Sequence, residues 1–265
     1  MQNAMDFQSD LISIITPAYK TEEYIGETIE SVQNQSYQNW EMLIANDKSP
    51  DNLKEVVLRY AKEDPRIKYL EMPQNGGPAE ARNLALENAS GRYIAFLDSD
   101  DLWFKDKLQK QIQFLQTNDY SFCYSPFRRM TQDGKKVTDI VKVPDSFKYN
   151  ELLKNTAIAT LTVMIDRKKT GDFRAPNVGY DDFAMWLIIL RRGHTAHAFK
   201  EDLALYRVME TSVSSNRIRA AKWVWNIYRN VEKIGVFAST WYLFNYAYRA
   251  IKKRTLAFDL DNNFL

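Results

Sequence analysis

The chain has 265 residues, of which 45% are hydrophobic and 26% charged, and its formal net charge is +2. This composition predicts a folded protein of one large domain, with or without an appendage, and excludes a disordered chain. Because the net charge is close to zero, we do not expect nucleic acid as a partner. The single cysteine, Cys123, excludes a disulfide framework within the chain and favours a reducing compartment.

The first residues, Met1 to Asp10, are polar and lack the basic start and apolar stretch of a signal peptide. No apolar run in the sequence approaches the length of a membrane span, which needs about 20 residues. We therefore expect a cytoplasmic protein that does not cross a bilayer.

Strands and helices alternate in the pattern of the first hundred residues. Apolar, β-branched stretches predict four strands, at Leu11–Thr16, Glu41–Ala45, Ile67–Leu70 and Tyr93–Leu97. Apolar residues at helical spacing predict three intervening helices, at Glu22–Gln33, Leu53–Lys62 and Pro78–Asn88. Such alternation predicts an α/β fold, in which a Rossmann-like, mostly parallel sheet has flanking helices on both faces.

The rest of the chain has a weaker periodicity. It predicts an amphipathic helix at Lys105–Thr117, a buried helix at Phe183–Leu190 and a polar loop at Gln132–Tyr149. Short strands are predicted at Ser121–Phe127, Thr160–Ile165, Ala196–Phe199 and Leu203–Val208. Residues 217–254 have a helical pattern with a break near Gly235, so we divide the chain into a domain at 1–216 and a helical C-terminal segment at 217–265.

Polar residues follow three of the predicted strands. Pro17 and Tyr19 come at the end of the first strand, Asp47 follows the second, and the acidic cluster Asp98–Asp101 follows the fourth. The carboxyl ends of parallel strands meet at one edge of a sheet, and ligands bind at that edge. The convergence of these residues predicts a ligand site there.

The acidic cluster contains three carboxylates within four residues, those of Asp98, Asp100 and Asp101, and they repel one another. A divalent cation with oxygen ligands would offset this repulsion, and it could also hold a diphosphate. The alternative is that the cluster caps the N-terminus of the helix that follows. Its position at the sheet edge favours the ligand-binding interpretation.

Asp47 and the glycine loop before the third helix are a second candidate. A carboxylate at a strand end can accept the N–H of a uracil ring, or it can cap the turn at Asn46–Pro50. Gly76 and Gly77 would let backbone N–H groups approach an anion, although an ordinary loop-to-helix turn is equally compatible. Arg82, in that helix, can pair with a phosphate or with a carboxylate of the acidic cluster.

Asp181 and Asp182 form a second carboxylate pair. Adjacent like charges raise one of the two pKa values, which suits a general base. The alternative is an N-terminal cap on the helix at Phe183–Leu190, which the helix dipole would favour.

Basic and aromatic side chains interleave along residues 217–254, where Glu232 is the one acid. Helices of this composition suit an anionic membrane surface. They are equally compatible with packing on the preceding domain or on the partner subunit of a homodimer.

These clusters, in this order, resemble the family 2 glycosyltransferases, which have the GT-A fold. The resemblance runs over Leu11–Leu102 and resumes at Tyr180–Ser215. The matching motifs are Ile14–Tyr19, Ile44–Ser49, Gly77–Asn83, Phe96–Asp101, Tyr180–Leu187, and Leu205–Val208 with Ser212 and Ser214. The pattern is most similar to bacterial members that build capsule, lipopolysaccharide or teichuronic-acid type polymers.

The resemblance implies an inverting transferase that moves a sugar from a nucleotide-diphosphate donor, expected to be a UDP-sugar, to a hydroxyl of a growing surface glycan, which can be lipid-linked. It implies a nucleotide-binding half at about 10–102 and an acceptor half at about 103–216. Asp100 would ligate Mg²⁺ or Mn²⁺, and Asp182 would be the catalytic base, with Asp181 as the next candidate. The donor would contact Pro17, Tyr19, Asp47 (at the base), Gly77, Arg82, Asp98 (at the ribose or base) and Ser99.

Three positions depart from the family pattern. Asp181 stands where many members have Glu, and Lys48 replaces a usual glycine. Met209 stands where many members place a histidine that is sometimes a metal ligand, and a thioether is a poor ligand for Mg²⁺ or Mn²⁺. We therefore expect Asp100, diphosphate and water to hold the metal.

Two other classes share parts of this pattern. A sugar-nucleotide nucleotidyltransferase would carry an early Gly-rich loop, which is absent after Leu11–Thr16. A non-catalytic, membrane-associated scaffold could bind partners through the C-terminal segment, although the intact acidic residues weigh against it.

Overall fold

The computed structural model describes residues 7–209 and 217–261, with side chains described for residues 7–209 and 218–249. Ser212 and Ser214 of the last motif lie outside the described residues.

All seven elements predicted in the first hundred residues are present, with ends that differ by a few residues. They are β1 (Gln8–Ala18), α1 (Ile25–Gln33), β2 (Trp40–Asn46), α2 (Leu53–Glu63), β3 (Ile67–Glu71), α3 (Pro78–Glu87) and β4 (Gly91–Phe96). The four strands are parallel and lie in the order β3-β2-β1-β4. Because helices cover both faces, β1 and β2 are buried on both sides, which explains their continuous apolar runs.

The second half is built from shorter elements. They are β5 (Leu102–Trp103), α4 (Lys107–Thr117), β6 (Phe122–Tyr124), β7 (Arg128–Met130), β8 (Ser146–Phe147), α5 (Tyr149–Leu152), β9 (Met164–Asp166), α6 (Arg167–Thr170), α7 (Asp181–Arg191), β10 (Ala196–Ala198) and β11 (Ala204–Arg207). Strands β9, β6, β10 and β8 extend the first sheet beyond β4, so both halves share one eight-stranded sheet. A second sheet has the order β5-β11-β7.

Three predictions for the second half are corrected. Of the predicted strand Thr160–Ile165, only Met164 and Ile165 belong to a strand, β9, because Thr162 N and Val163 N bond within a 3₁₀ turn to Ala159 O and Thr160 O. The strand predicted at Ser121–Phe127 is reduced to β6, since the chain reaches Pro126, which lacks an N–H for the sheet. The loop predicted at Gln132–Tyr149 contains β8 and the start of α5.

The core lies on both faces of the large sheet. On one face, Ile12 and Ile14 of β1 pack with residues of α1 and α4. On the other face, Ile15 packs with α3 and α7, where Trp186 is fully buried. These layers fix the ends of the strands and the starts of α3 and α7 relative to one another.

The C-terminal segment is helical with the predicted break. Helix α8 (Arg217–Asn226) leads into one wide turn at Ile227–Val231, and α9 (Val236–Asp261) begins after Gly235. Val224, Ile227 and Tyr228 are buried in the core on the α7 side of the sheet. Among the described residues, no helix has both the length and the apolar content to cross a membrane.

Candidate active site

The predicted site residues lie at one edge of the large sheet. Pro17 is buried and pairs with Ala45 near the ends of β1 and β2, and Tyr19 is exposed just beyond it. Asp47 directly follows β2, and Asp98–Asp101 follow β4. Parallel strands of similar length therefore bring residues far apart in sequence to a common edge.

Helix α1 holds the acidic cluster in place. The Thr28 hydroxyl donates to the main-chain oxygens of Ser99, at 3.1 Å, and Asp101, at 3.0 Å. The Thr21 hydroxyl donates to Ser99 Oγ at 3.0 Å. These bonds fix the backbone of the cluster, so its carboxylates cannot relieve their repulsion by rearranging the loop.

Arg207, from β11, joins the acidic cluster to two other elements. Its N–H donates to Asp101 Oδ1 and its Nε to the main-chain oxygen of Asp100, both at 2.8 Å. Its Nη1 donates to Gln132 O at 2.8 Å and its Nη2 to Glu27 Oε2 at 2.6 Å. The sequence indicated Arg207 only as part of a motif, and this connecting role depends on contacts between residues 75 to 180 positions apart.

The electrostatics of the acidic cluster fit a hard cation. Burial, followed by the charge of Asp98, raises the pKa of Asp100 to about 6. Burial and the charges of Asp100 and Asp98 raise the pKa of Asp101 well above its usual value. Asp101 Oδ2 is buried without a hydrogen-bond partner. Burial and neighbouring acids disfavour the negative charge of these carboxylates, and a bound cation would offset that cost. Carboxylate oxygens are also the ligands that Mg²⁺ and Mn²⁺ prefer.

The capping interpretation of the acidic cluster is wrong. Helix α4 begins at Lys107, and Asp106 occupies its N-cap position, five residues beyond Asp101. Within the described residues, no three His, Cys, Asp or Glu side chains are grouped closely enough to hold a metal by themselves. A cation at Asp100 would therefore take further ligands from a bound diphosphate and water.

Arg82 connects the two carboxylate groups that the sequence marked separately. From α3, its Nη2 donates to Asp98 Oδ1 at 2.8 Å and its Nη1 donates to Asp181 Oδ2. Burial lowers the pKa of Arg82, but Asp98, Asp181 and Asp182 outweigh this, so the pKa is raised and the guanidinium stays charged. The sequence allowed Arg82 to pair with a phosphate or with a carboxylate of the acidic cluster. In the structure it pairs with Asp98 of that cluster and also with Asp181.

Asp182 has different partners from Asp181. The Thr160 hydroxyl donates to Asp182 Oδ2 and the Phe183 N–H to Asp182 Oδ1, both at 2.7 Å. Burial and the charge of Asp181 raise the pKa of Asp182, while Arg82 and Thr160 counteract them. Asp181 is thus part of an ion pair, whereas neutral donors orient Asp182. Thr160 had no role in the sequence interpretation, where its stretch was a strand.

Asp47 fixes the glycine loop. Its Oδ1 accepts the Gly76 N–H at 2.7 Å and its Oδ2 accepts the Gly77 N–H at 2.8 Å. The turn after β2 is closed instead by Asn46, whose Oδ1 accepts the Ser49 N–H at 2.8 Å. The Asp47 carboxylate is therefore the anion that accepts these glycine N–H groups, and Asn46 caps the turn after β2.

Two residues of the site have positive φ angles. Gly77 has a φ of +85°, a conformation that favours glycine, directly before α3. Lys48 has a φ of +55°, in the left-handed region, where the family usually has glycine. Its ammonium lies 3.5 Å from Glu71 at the end of β3.

Solved structures with the same architecture confirm the predicted fold. The crystal structure of residues 1–349 of S. aureus TarS in complex with UDP-GlcNAc superposes with a TM-score of 0.70 at 20% sequence identity. The superposition covers 94% of this chain and 75% of that one. The protein thus has the GT-A fold of glycosyltransferases.

Sequence comparisons give the family. The model described as "Glycosyl transferase family 2" matches residues 13–175. The chain is 44% identical over 245 residues to the putative teichuronic acid biosynthesis glycosyltransferase TuaG of Bacillus subtilis, covering 92% of this chain and 97% of TuaG. It is 39% identical over 253 residues to the Escherichia coli UDP-Glc:alpha-D-GlcNAc-diphosphoundecaprenol beta-1,3-glucosyltransferase WfgD, covering 95% and 97%. The chain belongs to glycosyltransferase family 2, as the motifs predicted, and it is a glycosyltransferase.

Proposed function

We propose that the protein transfers a sugar from a UDP-sugar, with inversion at the anomeric carbon, to a hydroxyl of a lipid-linked glycan during synthesis of a bacterial surface polysaccharide. The names of TuaG and WfgD support this class of polymer, donor and acceptor. The structural observation that supports the proposal is the pair of bonds from Arg82 to Asp98 and Asp181, because one guanidinium joins the cluster proposed to bind the donor to the neighbour of the proposed base.

The donor would lie along the sheet edge. Asp47 would accept the N–H of the uracil ring, because an ionised carboxylate has about four lone-pair positions and the glycine loop occupies only two of them. Asp98 would face the ribose, and its bond to Arg82 keeps the carboxylate oriented. The remaining donor residues at this edge are Pro17, Tyr19, Gly77 and Ser99.

Asp100, beside Asp98, would hold Mg²⁺ or Mn²⁺. When bound, the cation supplies positive charge that stabilises the leaving diphosphate. The protein's own part is to hold the backbone at Ser99 and Asp100 in place, through Arg207 and α1. Arg207 is thus a positioning residue for the donor site.

Asp182 would act as the general base. Its carboxylate would take the proton of the acceptor hydroxyl while that oxygen bonds to the anomeric carbon and the bond to the diphosphate oxygen breaks. Thr160 and the Phe183 N–H orient the carboxylate without neutralising it, and the raised pKa increases its basicity. Attack from the face opposite the diphosphate inverts the configuration.

The test is a panel of nucleotide sugars incubated with a lipid-linked glycan acceptor, with Mn²⁺ or with a chelator. We expect UDP release that requires metal and acceptor together, and a product with the inverted anomeric configuration by NMR. Release of pyrophosphate would replace the proposal with a nucleotidyltransferase. Absence of turnover with every pair would favour a non-catalytic scaffold or an acceptor missing from the panel.

A further inference from the structure

Helix α9 has two apolar faces, and only one of them is packed. Tyr242, Leu243 and Tyr246 contact the core of the catalytic domain. The opposite face carries four aromatic side chains at spacings of four, three and four residues. We name them the aromatic stripe, and their exposed fractions are Phe237 94%, Trp241 61%, Phe244 70% and Tyr248 62%.

The aromatic stripe is larger than the apolar patches that a protein surface normally leaves in water. Each aromatic side chain can bury about 150–250 Å². Contiguous exposed patches beyond a few hundred Å² mark interaction surfaces. Ile218 and Val236 are also exposed on this segment, and a separate groove of about 460 Å³, lined by Ile218, Trp225 and Leu243, lies between α8 and α9.

The charges around the aromatic stripe are of one sign. Glu232, the one acid of residues 218–249, is buried, where its Oε2 accepts the Tyr149 hydroxyl at 2.7 Å and Arg191 Nη1 at 3.2 Å. The exposed charged side chains of that range are therefore all cationic, and they include Arg219, Lys222, Lys233 and Arg249. In sequence, α9 continues with the cations Lys252, Lys253 and Arg254, and its last turn carries the acids Asp259 and Asp261.

We propose that the aromatic stripe and these cations dock the protein on the surface of an anionic lipid bilayer. Aromatic rings enter the boundary between headgroups and acyl chains, and Lys and Arg beside them meet anionic headgroups. A second copy of the chain is the poorer occupant, because a two-fold interface would bring the same cations against one another.

Helix α8, which precedes α9, also touches the residues that lead into α7, the helix that carries the proposed base. The rings of Trp223 in α8 and Tyr180 lie 5.4 Å apart, edge to face, and Tyr180 is the N-cap of α7, directly before Asp181. A Cβ added at Gly179 would lie only 2.0 Å from the Trp223 ring, so the indole lies flat against this glycine. The C-terminal helices are therefore anchored directly beside the start of α7.

The experiment is vesicle flotation of the full chain, with phosphatidylcholine vesicles and with vesicles that also contain phosphatidylglycerol. We expect recovery with the anionic vesicles, little with phosphatidylcholine alone, and a decrease as salt rises. The variant F237S/W241S should lower partitioning by about tenfold for each ring removed. L58S, which removes an exposed leucine on α2, is the matched control and should float like the wild type.

A second variant tests the cations and leaves the aromatic stripe intact. K233E/R249E should lose the preference for anionic vesicles while its circular dichroism stays unchanged. Light scattering of each variant covers the alternative: if F237S/W241S turns a dimer into a monomer and flotation is unaffected, the stripe is a self-association face and the proposal is wrong. Equal recovery of all variants also overturns it. Because flotation needs no substrate, it can fail while the proposed transferase activity stands.

Discussion

The two carboxylate groups of the site share Arg82 but differ in their balance of charge. Asp98–Asp101 places three acids in four residues, and among their direct side-chain contacts one guanidinium, that of Arg82, meets one of them. At the start of α7, Arg82 meets Asp181, which leaves Asp182 as one carboxylate held by neutral donors. The first group has an excess of negative charge, whereas the second has a single unmatched acid.

This difference indicates what each group can do. An excess of carboxylates that cannot rearrange is relieved by a cation, and a cation at the sheet edge attracts a diphosphate. A single carboxylate with a raised pKa and fixed orientation is suited instead to take up a proton. Residue type does not distinguish the two groups, since both consist of aspartate. The neighbouring guanidinium and hydroxyl groups make the distinction.

Replacing the proposed base should have the largest effect. In Asp182→Asn, the amide oxygen still accepts hydrogen bonds but cannot accept the acceptor's proton, so we expect kcat to fall by about 10²–10⁴-fold. The Kd for UDP, measured by calorimetry with Mn²⁺, should change little. Turnover near the wild-type rate would move the base to Asp181 or elsewhere, and the contrast between the two groups would then be lost.

Removing the contacts that Arg82 makes with both carboxylate groups should have the second-largest effect. In Arg82→Lys, one ammonium cannot reach both Asp98 and Asp181, and a buried carboxylate loses its partner. We expect kcat/KM to fall by about 10–100-fold and the free energy of unfolding to fall by about 3 kcal/mol.

Arg66→Lys is the matched control for that variant. Arg66 also makes two bonds to one aspartate, Asp64, but it lies beyond the end of α2, away from the site. Its substitution loses this two-bond pair and the stacking of the guanidinium on Trp40, so it should cost about 1 kcal/mol at this partly exposed position and leave kcat/KM unchanged. Equal losses in the two variants would contradict a connecting role for Arg82.

The excess charge of the acidic cluster can be tested by Asp100→Asn. Loss of an outer partner of a metal ligand typically costs about 10–100-fold in metal affinity, so loss of the ligand itself should weaken Mn²⁺-dependent turnover at least as much. In chelator, the variant should melt about 2–4 °C above the wild type, because one of three repelling charges is gone. Asp106→Asn, at the exposed start of α4, should change neither quantity; a metal response of Asp100→Asn equal to the wild type would exclude Asp100 as a ligand.

The residues of this site that directly follow a strand could be located from the sequence alone. The positions of Asp47 and Asp98–Asp101 follow from strand ends, and those strand ends follow from the largely apolar stretches of β2 and β4. Here the alternation of strands and helices also fixes which ends meet. The first half of the fold and the positions of these strand-end residues therefore follow from the order of residues along the chain.

The contacts that distinguish the two groups were not predictable in the same way. Arg82 and Asp181 are 99 residues apart, and Thr160 meets Asp182 through a turn whose β-branched residues favoured a strand. The intervening strands, β5 to β9, are two or three residues long, too short to show a period in sequence. The role of Arg207 was equally unpredictable from the sequence, because its partners come from α1, the acidic cluster and the chain after β7.

The smallest effect expected is a shift in pH dependence when the Thr160 hydroxyl is removed. The base must be ionised, so kcat/KM rises as the pH passes the pKa of Asp182. The bond from Thr160 favours the ionised form, and Thr160→Val should therefore move this limb to higher pH, with a few-fold loss below it and none well above it. Thr162→Val is the matched control, since its hydroxyl donates to Ala159 O in the same turn. Coincident profiles for wild type and both variants would mean that the acid limb belongs to a different group.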